Sequence, residues 1–480
     1  MANFRARARA VDLLGKQQIR DEVTAISELL RNSYDADATE GLINVDTIQE
    51  TILVWDDGEG MSETDVQENW LTLGTYSKVK NNKTKKDRVK IGEKGIGRLA
   101  ISLLGDQLLL ISKKKDIGIW TILFLHWDLF RNEKAYLEAI KVPLRAFNSL
   151  ESLLSFIKID FDSLKKELLS NLDDSEIWEE NISNKIKGDI DQFKLSEDAI
   201  NKLKLNEKRG GGTLFYISSL AAAWDWSIYK SKIKDESLRR RVQRLKDVVF
   251  SFVNLIDLFD NEISYNGIEQ NSLKDINVKD KNFTPKIHID GLKLENETWF
   301  NLGDMTLFDY ALKGEIINGV FNGQSIIRYP DKIETTEINN IPLTKGMYIN
   351  SLKDCGPIKI KWFFLEGTEK LSSLSKDQFN TMMEKLDQMG GIFVFRDGLR
   401  ILPYGEPGND FLNIEYRRSK GAGYYLFSHR RMFGFMEISK EKNPELIDKS
   451  SREGFIENKE FNFFRTVAEN LLLWWATDYL

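Results

Sequence analysis

Between residues 19 and 125 one helical repeat is followed by short apolar runs cut off by glycine, and this alternation most narrows the folds open to the chain. The runs TILVW (51–55) and QLLLIS (107–112) are too short for core helices and read as strands of an α/β layer. No repeat recurs at 20–50 residues, which excludes solenoids and propellers. The single cysteine, Cys355, excludes a disulfide framework, and with only His126, His288 and His429 beside it no Cys/His zinc cluster can form. No apolar run reaches the roughly 18–20 residues of a membrane span, so a cytoplasmic protein without a membrane partner is expected.

Composition changes mark the domains. From about 149 to 208 the chain is charged, poor in glycine and apolar at helical spacing, which predicts a helical insertion. Gly210-Gly211-Gly212 then precedes the strand-like TLFYI, and a helical pattern runs from about Trp224 to Leu258. A first domain over 1–260 and a second α/β domain over 261–480 are therefore expected, the latter starting with strands such as KIHID. It ends on an amphipathic helix carrying Phe461, Phe464, Val467, Leu471, Leu472 and Trp475, a stripe suited to core packing or to docking a partner.

Four short patterns bear on chemistry. In IRDEVTAISELLRNSYDADA (19–38), a turn of about 100° per residue puts Ile19, Val23, Ile26 and Leu30 on one face and Glu28, Asn32 and Asp35 on the other. A carboxylate there could act as general base, and an amide one turn on could ligate Mg²⁺ without adding charge beside phosphates; a solvated polar face would look the same. The strand TILVW runs into Asp56-Asp57-Gly58-Glu59-Gly60-Met61, a carboxylate acceptor beside backbone that a flat ligand can approach, or simply an Asp-Gly turn. Gly92-Glu93-Lys94-Gly95-Ile96-Gly97 leads into a helix-compatible stretch and could hold a polyphosphate on its N–H groups, although it lacks the Walker A spacing. Gly212-Thr213 opens the TLFYI strand, where a hydroxyl could share a water with Asp56.

Taken in order, these patterns resemble the N, G1, G2 and G3 boxes of the Bergerat-fold (GHKL) ATPases, in the Hsp90, MutL and MORC branch. The resemblance implies an N-terminal Bergerat-fold α/β sandwich ATPase domain with a helical insertion, followed by an α/β transducer-like domain. It further implies Glu28 as general base, Asn32 as Mg²⁺ ligand, Asp56 as adenine reader assisted by Thr213, and ATP contacts at Asp35, Gly58, Gly60, Met61, Gly92, Lys94, Gly95, Ile96 and Gly97. Gly74-Thr75-Tyr76-Ser77-Lys78 is similar to the MutL and MORC lid, which assigns a lid to about 70–90 and a catalytic role to Lys78; seven Lys/Arg within 78–90 suit a cover over phosphates or a solvated basic loop. Ser451-Arg452-Glu453 looks like the Hsp90 middle-domain motif, making Arg452 the candidate γ-phosphate contact.

From the same resemblance follow ATP hydrolysis, lid closure and a nucleotide-dependent homodimer, with a place in DNA-related work or phage defence. A non-hydrolysing nucleotide sensor or nucleic-acid clamp scaffold, or an Hsp90-like chaperone, stand as alternatives, with nucleic acid or an effector protein as the further partner. Basic groups at Arg5/Arg7/Arg9, at Arg239-Arg240-Arg241 with Arg244, and from Arg417 to Arg431 could meet nucleic acid, but a net charge of -6 excludes bulk attraction to it.

Overall fold

The computed structural model describes residues 5–16, 19, 21–73, 83–86, 88, 90, 97–174, 176–221, 225–226, 229, 236–250, 283–294, 302–344, 353–406, 408–421, 426–449 and 454–480. Two compact units divide the chain, one formed by Met1–Val249 with Lys281–Glu295, the other by Phe250–Asp280 with Asn296–Leu480. Among the described residues no helix is long and apolar enough to cross a membrane.

In the first unit the strands are β1 (Glu40–Asp46), β2 (Thr51–Asp56), β3 (Gly105–Lys113), β4 (Trp120–His126), β5 (Leu144–Phe147), β6 (Gly212–Leu220), β7 (Thr284–Ile289) and β8 (Leu292–Lys293). They form one sheet in the order β5-β4-β3-β6-β2-β1-β7-β8, antiparallel except for the parallel β1–β7 pair. Every residue of β2 and β4 is buried, because both faces of the sheet are covered. Helices at Phe161–Leu169, Glu180–Gln192 and Glu197–Arg209 supply one cover: Phe161 and Phe193 lie 5.3 and 4.9 Å from Phe124 of β4, and Phe193 meets Tyr216 of β6 at 5.9 Å. The Trp55 Nε1–H on β2 also donates to Oδ1 of the fully buried Asn206, at 2.7 Å. The charged stretch around 149–208 is thus the covering layer of one sheet face.

The expectation that KIHID belongs to the second domain is corrected. The chain returns at 283–294, and β7 extends the first unit's sheet beside β1, in register from Glu40↔Thr284 to Val45↔Ile289. Composition could not reveal this, because a strand's apolar alternation fits either sheet equally well.

The second unit is built on β9 (Tyr310–Ile317), β10 (Val320–Arg328), β11 (Ile333–Pro342), β12 (Ile358–Phe364), β13 (Gly391–Arg396), β14 (Leu399–Arg400) and β15 (Met432–Ile438), in the order β11-β10-β9-β12-β15-β13-β14. Successive side chains of its central strands enter two different cores. Ile358, Ile360 and Trp362 pack with Ile392, Val394 and Met436 on one face, and Phe363, Phe393, Phe395, Phe433 and Phe435 on the other. The helix Lys459–Trp474, capped by Asn458, lays Phe461, Phe464, Val467, Leu471 and Leu472 into the first core, with Trp475 following. That stripe therefore packs the protein's own interior.

Candidate active site

The helix Glu22–Asp35 begins at Asp21, whose Oδ1 accepts from the Thr24 N–H at 2.9 Å. It is not amphipathic in the way its periodicity suggests. Every residue from Glu22 to Leu30 is buried, and Glu28 is only 4% exposed, with its Oε1 3.6 Å from Arg31 Nη1. Asn32 and Asp35, one and two turns on, are half-buried. A carboxylate withheld from water here is no solvated-face residue.

Ser33 fixes this helix against the end of β2, its hydroxyl donating to Asp56 Oδ2 at 3.2 Å. Asp56 Oδ1 accepts the Gly58 N–H at 2.9 Å. Asp56 is 4% exposed, and burial pushes its carboxyl up to about 6, against the opposing hydrogen bonds from Gly58, Ser33 and the Thr213 backbone. Asp57, its neighbour, behaves oppositely. Burial raises it too, but the Thr39 hydroxyl, the N–H groups of Thr39 and Glu40 at 2.7 and 2.8 Å, and Arg209 at 2.8 Å outweigh that and hold it below the usual carboxylate range. One acid of the tandem is thus consumed by structure, and the other is poised near neutrality at a strand end.

The backbone after Asp56 lies close to its neighbours. A Cβ on Gly58 would sit 2.7 Å from the Ala36 carbonyl oxygen and 2.9 Å from Asp56 Oδ1. At Gly60, with φ of +66°, a Cβ would fall 1.8 Å from the Lys113 carbonyl oxygen. The Met61 N–H donates to Ser112 Oγ at 2.8 Å, and Ser112 Oγ lies 2.9 Å from Thr213 Oγ1. Thr213 stands directly across the β2–β6 ladder from Asp56. Glu28, Asn32 and Asp35 thus share one helix, which Ser33 ties to the Asp56 loop; Gly58, Gly60 and Met61 lie within that loop, and Thr213 faces Asp56 across the ladder. Gly97 is buried at the start of a short helical turn, Gly97–Ala100. Lys78, Gly92, Lys94, Gly95, Ile96 and Arg452 lie outside the described residues.

Sequence reasoning missed Ser33 and Ser112, whose only signal is a small hydroxyl at a buried position. It also missed the turn 83–88, read only as part of a basic cover. Arg88 is buried, with its guanidinium over the Tyr34 ring and Nη1 donating to the carbonyls of Tyr34 and Ala38 at 3.1 and 2.8 Å. Several arginines suggested for nucleic acid are engaged internally: Arg5 and Arg7 over Tyr136, Arg9 with Glu133, Arg241 with Glu22, Arg244 with Asp21, and Arg417 with Glu469.

The model of the family described as "Histidine kinase-, DNA gyrase B-, and HSP90-like ATPase" matches residues 21–156. Over 74 residues, 15% of this chain, the sequence is 40% identical to the "Putative type II restriction enzyme HgiDII" of Herpetosiphon aurantiacus, of which the match spans 12%. A crystal structure titled as the N terminal domain of a DNA repair protein superposes over 97% of this chain and 96% of its own, at 11% identity and a TM-score of 0.43. The matched family segment opens at the cap of the Glu22–Asp35 helix and takes in the whole Asp56 loop, so it is residues 21–156 that carry the likeness to the histidine kinase-, DNA gyrase B- and HSP90-like ATPases.

Proposed function

We propose that this chain is an ATP-binding and ATP-hydrolysing switch, acting in a DNA-related setting. The observation that carries the reading is Asp56, a buried carboxylate at a strand end, on a loop whose glycines let its backbone pack closely against Ala36 and Lys113. An ionised carboxylate there accepts a hydrogen bond from a purine amino group. Glu28 is the general base, drawing a proton from the attacking water. The Asn32 amide oxygen fits Mg²⁺, which when bound neutralises charge on the phosphates. Lys78 is assigned a catalytic role, Asp35 an ATP contact, Gly92, Lys94, Gly95, Ile96 and Gly97 the phosphates, and Arg452 the γ-phosphate. Lid closure over about 70–90 and a nucleotide-dependent homodimer complete the switch, and the restriction-enzyme name of the 40%-identical relative supports the DNA setting.

Calorimetry with Mg-ATP and a phosphate-release assay test this together. Asp56→Asn should abolish detectable binding. Glu28→Ala should keep binding and lower turnover by about 10²–10⁴-fold, the range of a lost general base. Wild-type turnover in Glu28→Ala removes the general-base assignment, and wild-type affinity in Asp56→Asn sinks the pocket itself.

A further inference from the structure

The glycines of the Asp56 loop let its backbone lie against Ala36 and Lys113, so its shape is set by those neighbouring segments. Its ties are visible. The Glu59 N–H donates to the Ala36 carbonyl at 2.8 Å, and the Lys115 N–H donates to the Glu59 carbonyl at 3.0 Å. Lys115 Nζ reaches the Asp57 carbonyl at 2.9 Å. The loop is thus held between the end of the Glu22–Asp35 helix and the β3–β4 turn.

A third segment closes the arrangement. The turn 83–88 is pinned to the helix end by Arg88, and by Lys86, whose N–H donates to Asp37 Oδ2 at 3.1 Å and whose Nζ donates to the Asp37 carbonyl at 2.8 Å. The preceding residue, Lys85, spans two carboxylates: Nζ donates to Glu59 Oε2 at 2.7 Å in the Asp56 loop and to Asp116 Oδ2 at 2.6 Å in the β3–β4 turn. Its side chain is 60% exposed, so as a stabilising contact it is worth little. Its placement is another matter, because one ammonium joins the three segments that frame Asp56. We propose that Lys85 is a positioning residue for nucleotide recognition, clipping the 83–88 turn to the Asp56 loop through Glu59 and to the β3–β4 turn through Asp116. The proposal rests on the reading of Asp56 as the base-recognition group.

The test is calorimetric titration with Mg-ATP, run with steady-state turnover and thermal melting, on wild type, Asp56→Asn, Lys85→Met and Lys85→Arg. Lys85→Met should weaken ATP binding by roughly three- to tenfold, the reach of two surface ion pairs acting on one loop, with Tm unchanged. The loss in kcat/KM should be carried by KM, since Glu28 is untouched, and Lys85→Arg should restore most of it. Raising salt should narrow the gap between wild type and Lys85→Met. Wild-type affinity in Lys85→Met overturns the proposal while leaving the nucleotide site intact. A wild-type protein that gives no binding heat overturns the site and the proposal with it. Should Tm fall along with affinity, Asp116→Asn, which leaves Lys85 on Glu59, must give a smaller affinity loss at unchanged Tm, or the proposal fails.

Discussion

At the scale of single residues, two adjacent carboxylates take opposite roles because their surroundings differ. Asp57 has charged and hydrogen-bonding partners enough to stay ionised, whereas Asp56 is pushed up to about 6 by burial. A folded-state pKa above the unfolded value means the protonated form is favoured by folding. Its contribution is fully present below about pH 4 and is lost as pH rises through about 6. In the ligand-free protein, Asp56→Asn should therefore gain on the order of 1–3 kcal/mol relative to wild type between pH 4 and pH 7, measured by urea unfolding across that range. ATP binding should show the reverse trend. The amino group of the base needs an ionised acceptor, so affinity should fall as pH drops below about 6, and binding at pH 6 should release a proton, detectable as a heat that varies with buffer ionisation enthalpy. Pure loss of affinity with no proton release would assign the pH dependence to another group.

At the scale of elements, the Glu22–Asp35 helix is gripped at its start by arginines more than two hundred residues downstream. Glu22 is fully buried, its Oε1 accepting from the Tyr229 hydroxyl at 2.8 Å and from Arg241 Nε, while Arg244 meets Asp21 at 2.6 Å. Arg241→Ala should cost about 3–5 kcal/mol in unfolding free energy, because it strips a buried carboxylate of its cation, and adding Glu22→Gln should recover much of that. Equal midpoints for wild type and Arg241→Ala would show that water satisfies Glu22 instead. These contacts also explain what the sequence could and could not disclose. The order of acid, amide, strand end and glycine was legible, because each depends on neighbours within a few residues. The full burial of Glu28 was not, since helical periodicity reports one apolar face and is blind to what packs on the other. Nor was the purpose of 149–208, where Phe161, Phe193 and Asn206 find partners on strands read as separate elements. The arginines of 239–244 looked like a surface charge run, and only the fold brings Arg241 and Arg244 to Asp21 and Glu22.

At the scale of the whole molecule, the chain does not finish one unit before beginning the next. After the helix Glu236–Phe250 it returns at 283–294 to complete the first unit's sheet. Phe283 is 1% exposed and meets Tyr34 edge-on at 5.8 Å, and its ring would lie 2.9 Å from a Cβ on Gly41. Ile287 and Ile289 are fully buried, Lys286 pairs with Glu40 at 2.5 Å, and Thr47 is held by Asp290 at 2.7 and 2.6 Å. A chain ended after Phe250 would leave β1 as an open edge and would lose three buried apolar side chains, each worth about 1.5–3 kcal/mol. It should therefore unfold at least several kcal/mol more easily than a chain ended after Leu294, and should aggregate on concentration, as exposed strand edges do. The longer fragment should keep a cooperative urea transition and bind Mg-ATP, since Glu28, Asn32, Asp56 and Thr213 all lie within it. Matching urea midpoints for the two fragments would mean that β7 decorates the sheet without supporting it. A longer fragment that folds but binds no nucleotide would instead move the determinants of affinity into residues beyond 294.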